Sequence, residues 1–204
     1  MTPFLPIRAG LIPALAAAAL LVAGCATSVE RIETGEVKDL SGAWNDTDSR
    51  LVSEEMIQDV LAREWLTDYT RQHKRQPAVI VGEVRNLSHE HINVNTFVAD
   101  MERALINSGK VKFVASSTER GEVREERKEQ ELHAREDTRK PMGQELGADY
   151  MLKGTINTII DVAGKTQVRY YQVDLTLISL ADNGKAWVGQ KKIKKLVKRS
   201  NLRF

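Results

Sequence analysis

Residues 167–180, QVRYYQVDLTLISL, decide the fold. Tyr171, Val173, Leu175 and Leu177 alternate with Gln172, Asp174 and Thr176. Successive side chains of a strand point to opposite faces, so the alternation predicts a strand with one buried and one polar face. Asp182-Asn183-Gly184 then supplies a tight turn. Residues 185–197 return as the partner strand, with Trp187 inside it. On the other side, residues 149–160 (DYMLKGTINTII) read as the strand that opens this set.

Further upstream the period changes. Val52, Met56, Val60, Ile57, Leu61 and Trp65 form a helical stripe, with Asp48 or Ser49 as candidate caps. Residues 78–82 (AVIVG), after Pro77, read as a buried strand. Phe97, Met101, Ala104, Leu105 and Ser108 make a second helical face, started near Asn93 or Asn95 and stopped at Gly109. Residues 111–115 (VKFVA) are a short strand. Residues 118–140 hold 8 acidic and 7 basic residues among 23, with opposite charges three and four apart, as expected of a solvated helix fraying after Leu132. Pro141 opens a short helix with Met142 and Leu146 that ends at Gly147. The order α-β-α-β-α-α-β-β-β predicts an α+β fold: a small antiparallel or mixed sheet packed with helices.

The ends of the chain differ from this middle. The first 24 residues carry one charged side chain, Arg8, and residues 11–23 (LIPALAAAALLVA) are apolar apart from one proline. A bilayer-spanning helix needs about 20 such residues, so this run suits a signal-peptide core instead. Val22-Ala23-Gly24-Cys25 resembles the bacterial lipobox, and Cys25 is the only cysteine of the chain. Small residues at Ala23 and Gly24 admit the peptidase, and the Cys25 thiol can take a diacylglycerol. Two or more acyl chains hold a protein stably at a membrane where one does not. The expected organisation is therefore a signal peptide at 1–24, a lipidated flexible tether at 25–49 and a globular domain at 50–204. The absence of an aspartate after Cys25 resembles the outer-membrane sorting pattern of Gram-negative lipoproteins. The expected location is the outer membrane, with the domain facing the periplasm.

Composition narrows the function. One cysteine excludes an internal disulfide and any multi-cysteine metal site. A formal net charge of +2 over 204 residues argues against a dedicated nucleic-acid binder. No glycine-rich phosphate loop or acid–base pair stands out, and His89 and His91 lack a third metal ligand nearby. No catalytic residue, metal or cofactor is therefore assigned. The charge asymmetry lies at the end: from Asn183 onward there are 8 Lys/Arg and no Asp/Glu. Lys191, Lys192, Lys194 and Lys195 are candidates for contact with an acidic partner or anionic envelope polymer. The same lysines also suit the protection of an edge strand against aggregation. Asn86 and the polar stretch to His91 form a second candidate surface.

Four stretches carry a resemblance. Residues 79–86 (VIVGEVRN), 104–114 (ALINSGKVKFV), 146–154 (LGADYMLKG) and 175–187, closing on Gly184-Lys185-Ala186-Trp187, are similar to segments of the LpoB family of outer-membrane lipoproteins. Lys185 and Ala186 depart from the pattern at the last of these. The resemblance implies a non-catalytic activator that docks on a class A penicillin-binding protein, a bifunctional peptidoglycan synthase. The CsgG lipoproteins and the N-terminal domain of TolB have similar strand–helix grammar. That leaves an alternative, a structural envelope lipoprotein that self-assembles or joins a secretion complex. A CsgG-like pore needs extra amphipathic membrane strands, for which the chain has no spare segment.

Overall fold

Three long strands dominate the computed structural model, which describes residues 28–198. The apolar run at 11–23, Cys25, Arg199 and Arg203 lie outside the described residues. The chain divides into two compact units between Glu36 and Val37. Residues 28–36 of the first hold a single turn, closed by the Glu36 amide donating to the Glu33 carbonyl at 3.0 Å. The second carries all the helices and strands named below.

Its elements run α1 (Asp46–Ala62), α2 (Glu64–His73), β1 (Ala78–Asn86), α3 (Val94–Asn107), β2 (Lys112–Phe113), α4 (Ser117–His133), β3 (Tyr150–Ala163), β4 (Thr166–Ser179) and β5 (Lys185–Lys198). The strands form one mixed sheet in the order β2-β1-β3-β4-β5. β1 pairs in parallel with β2 and β3, whereas β3, β4 and β5 form an antiparallel meander. The expected α+β class is what the chain adopts.

β4 shows why. Tyr171, Val173, Leu175 and Leu177 are all buried, as the alternation requires. They meet Leu152 and Ile156 of β3 and a helical layer on the same face. α1 contributes Val52, Met56, Ile57 and Val60; α3 contributes Phe97, Met101 and Leu105 at spacings of four. Gly189 of β5 makes the fit possible. A Cβ there would lie 2.1 Å from Cζ2 of Trp187, so the indole lies flat across it and reaches α1, where Nε1 donates to Asp59 Oδ2 at 2.7 Å. On the opposite face of β4, Gln172, Asp174 and Thr176 are only half-buried, and a small second cluster of Ala78, Ile80 and Val114 forms toward β1 and β2.

Several local expectations are corrected. The first helix starts earlier, because Asn45 is its cap: Asn45 Oδ1 accepts from the Asp48 amide while Asp48 Oδ2 accepts from the Asn45 amide, each at 3.0 Å. Asp48 is thus the reciprocal acid of a capping box and not the cap. The single stripe through Trp65 is two helices. Arg63 is extended (ψ 156°), and the chain turns so that Trp65 Nε1 donates to the Val60 carbonyl at 2.7 Å. β1 continues four residues past Gly82, with an irregularity between Val81 and Val84 where it pairs with β3. The expected helix after Pro141 is absent. Gly143 has φ +80°, left-handed backbone that stops a right-handed turn, and residues 141–147 are exposed, so Met142 and Leu146 gain little burial. α4 does form, ending at His133, although none of its residues is buried. A Ser116–Glu119 capping box and the Arg124 guanidinium, which donates twice to Glu145 at 2.8 Å, hold it.

Candidate partner interface

β5 is the outermost strand of its side of the sheet, and its period of two sorts the lysines. Lys191 and Lys195 share the inward phase with Trp187 and Ile193. Lys191 pairs with Glu55 of α1. Lys195 Nζ donates to Asp39 Oδ1 at 2.7 Å, to Asp48 Oδ2 at 2.6 Å and to the Ala43 carbonyl at 3.2 Å. Burial is the largest single influence on the Lys195 ammonium and lowers its pKa. The hydrogen bonds to Asp39 and Asp48 together outweigh it, so the net shift is upward. Lys192 and Lys194 take the outward phase, are exposed, and have no ion-pair partner among the described residues. The basic strand therefore leaves two of the four candidate lysines exposed and, among the described residues, without an ion pair, and turns the other two toward its own chain.

Asn86 lies at the end of β1, where its side chain closes a turn. Oδ1 accepts from the Ser88 amide at 2.9 Å and Nδ2 donates to the Glu90 carbonyl at 2.8 Å. His89 and His91 are exposed on this loop. The loop aims Glu90 inward, toward residues that sequence reasoning missed. Glu90 Oε1 accepts from Arg169 Nη1 and from the Tyr171 hydroxyl, both at 2.8 Å, and Oε2 accepts from the Trp44 amide at 3.1 Å. Burial, then the hydrogen bond to Glu90, pushes the Tyr171 phenol up. The Gly42 carbonyl lies 3.2 Å from the same hydroxyl, and Trp44 meets the Tyr171 ring edge-on at 5.5 Å. Glu90 and Lys195 thus fasten residues 39–45 to the inner side of β4 and β5. The signal was present: Arg169, Lys191 and Lys195 are charges on the buried phase of their strands, and a charge so placed requires an opposite partner.

A second polar cluster explains one of the stretches quoted above. Asp149 accepts a bidentate pair from Arg75 at 2.8 Å and the Ala78 amide at 2.7 Å. Burial alone raises its pKa, but Arg75, the Ala78 amide and Tyr69 together hold it below the usual carboxylate value. One side chain thereby ties the start of β3 to the start of β1. Beside it Trp65, Tyr69 and Tyr150 pack edge to face, lining an open cleft of about 490 Å³. Gly154 closes the stretch, where a Cβ would meet Leu175 Cδ2 at 2.4 Å.

Residues 48–193 match the family described as peptidoglycan-synthase activator LpoB. The chain belongs to the LpoB family. The match begins in the first turn of α1 and ends within β5, so it covers the helices and the sheet together. Among solved structures, this LpoB-family chain is similar to lipoprotein GNA1162 from Neisseria meningitidis, with 17% identity, 62% of this chain and 88% of that one covered, and a TM-score of 0.38. It is similar to the LpoB C-terminal domain from Escherichia coli, with 14% identity, coverage of 65% and 100%, and a TM-score of 0.36. A PelC dodecamer from Paraburkholderia phytofirmans matches with 14% identity, coverage of 62% and 77%, and a TM-score of 0.34. No curated protein matches by sequence. Among the described residues, no helix is long and apolar enough to cross a membrane.

Proposed function

We propose that this chain is a non-catalytic activator of a class A penicillin-binding protein, anchored to the outer membrane through Cys25, with its α+β domain in the periplasm. The observation that carries this reading is the LpoB-family match, because residues 48–193 take in nearly the whole folded unit. Activation without catalysis is a matter of differential binding: the domain must bind the active conformation of the synthase more tightly than the inactive one. The signal peptide at 1–24, loss of which leaves Cys25 first, supports anchoring. The stretch proposed as the tether is residues 25–49; the contacts of residues 39–45 with Glu90 and Lys195 hold its later part to the folded unit.

Lys192 and Lys194 are the candidate residues best placed for such docking, since both are exposed and have no ion pair among the described residues. The test is direct binding. Residues 25–204 are immobilised, and the purified periplasmic part of a class A synthase from the same envelope is passed over them. Saturable binding supports the reading; no binding of any class A synthase at micromolar concentration overturns it.

A further inference from the structure

The outer edge of β5 is long and, among the described residues, unpaired. β2, at the other edge of the sheet, has two residues, but β5 has fourteen. Half of the amide and carbonyl groups of an edge strand point away from the sheet and need a partner or water. Among the described residues, no backbone hydrogen bond joins this edge to any other segment. We propose that the outer edge of β5 accepts an extended acidic segment of a partner protein as a sixth, antiparallel strand of the sheet, with Lys192 and Lys194 selecting it.

The choice of occupant follows from charge. β5 carries six lysines and no carboxylate. If a second copy paired with it edge to edge, no register would bring an opposite charge to any lysine, and many would set lysine against lysine. Like charges directly across a strand pair are destabilising and opposite ones stabilising. The lysines that repel a second copy are therefore the ones that admit an acidic strand. The pattern on the exposed face is specific: Val188, Gln190, Lys192, Lys194 and Leu196 follow one another at alternate positions, with Val188 and Leu196 each 60% exposed. A complementary strand carries an apolar residue, two acids, a polar residue and an apolar residue at alternate positions. Main-chain hydrogen bonds then supply affinity and the alternate side chains supply specificity. Lys191 and Lys195 leave this task to the outward pair, because Glu55, Asp39 and Asp48 already occupy them.

We take the domain to be a partner-binding module, as proposed above, but the test needs no synthase, so failure here leaves activation to be decided separately. The probe is a fluorescent nine-residue peptide with Val, Glu, Glu, Thr and Val at alternate positions and Thr between them. It is titrated against the purified chain in detergent. Saturable binding and slower hydrogen exchange across β5 are expected. The exposed double variant Lys192→Glu/Lys194→Glu should weaken binding at least about tenfold, and a peptide with Lys in place of Glu should restore it. The same acidic peptide N-methylated along its outward-bonding amides should not bind. Absence of saturable binding overturns the proposal. Binding of the N-methylated peptide within about twofold also overturns it, because contact is then through charge alone. A dimer of the peptide-free protein in sedimentation, with β5 protected, overturns it by giving the edge to a second copy.

Discussion

Lys195→Ala tests the fastening of residues 39–45 in the most quantitative way. The substitution leaves Asp48, which is 4% exposed, without its cation. Breaking a buried pair by removing one partner costs about 3–5 kcal/mol. Two features reduce this here: the Asp39 side chain is 45% exposed, and Asp48 keeps its hydrogen bond from the Asn45 amide. About 2–3 kcal/mol is the expected loss at neutral pH. With a urea m-value of about 2 kcal/mol/M for a domain of this size, the midpoint falls by about 1–1.5 M. The sign with pH is fixed. Lys195 has a raised pKa, so its contribution is complete below the ordinary lysine value and fades only as pH rises through the higher folded one. The hydrogen bond from Lys195 lowers the Asp39 pKa, so that contribution is complete above the ordinary carboxylate value and is lost as pH falls through the lower folded one. The gap between wild type and variant should therefore be flat from about pH 5 to 9 and narrow below about pH 4. The assay is urea unfolding followed by tryptophan fluorescence, with Asp48→Asn added as a double-mutant cycle. A midpoint shift under about 0.3 M, or a coupling under about 0.5 kcal/mol, would refute the reasoning.

Other expectations follow from the same contacts. Phe97 is fully buried under the sheet, and Phe97→Ala should destabilise by about 3–5 kcal/mol in the same unfolding assay. Glu145→Gln removes the carboxylate that ties Arg124 of α4 to the 141–147 segment; since none of the residues of α4 is fully buried, hydrogen exchange should accelerate in residues 117–133 and stay unchanged in β3 and β4. Cys25→Ser should leave the chain unprocessed and unlipidated, read by intact mass and by its loss from the outer-membrane fraction; normal anchoring of the variant would contradict the lipid assignment.

Much of this fold is legible in the sequence because its longest strands are simple. Tyr171 to Leu177 alternate without interruption, and their burial follows from the pleat alone. The helical face of Phe97, Met101 and Leu105 is equally plain. What escaped has a tertiary cause. Nothing at Arg63 marks a helix break, since it is neither Gly nor Pro; the break arises because Trp65 must turn back to Val60 and then meet Tyr150, which lies 85 residues further on. The short helix after Pro141 had an adequate local pattern but no surface to pack on. The candidate interface was half legible. The lysine run gave the sign of the charge, and its period of two foretells which lysines face outward. The partners of Lys191 and Lys195 were hidden, because Glu55, Asp48 and Asp39 lie 136 to 156 residues earlier. Glu90 escaped for the same reason: alone in a polar loop it reads as solvated, and only the fold brings Arg169, Tyr171 and Trp44 around it.

The function proposed for this domain is activation of a peptidoglycan synthase. The most direct measurement is the rate of glycan-strand synthesis by a purified class A penicillin-binding protein from the same envelope, on lipid-linked disaccharide substrate, with and without residues 25–204. A saturable rise in rate with added domain is expected, and no synthesis by the domain alone. A rate that stays unchanged at saturating domain, with every class A synthase of that envelope, would contradict it.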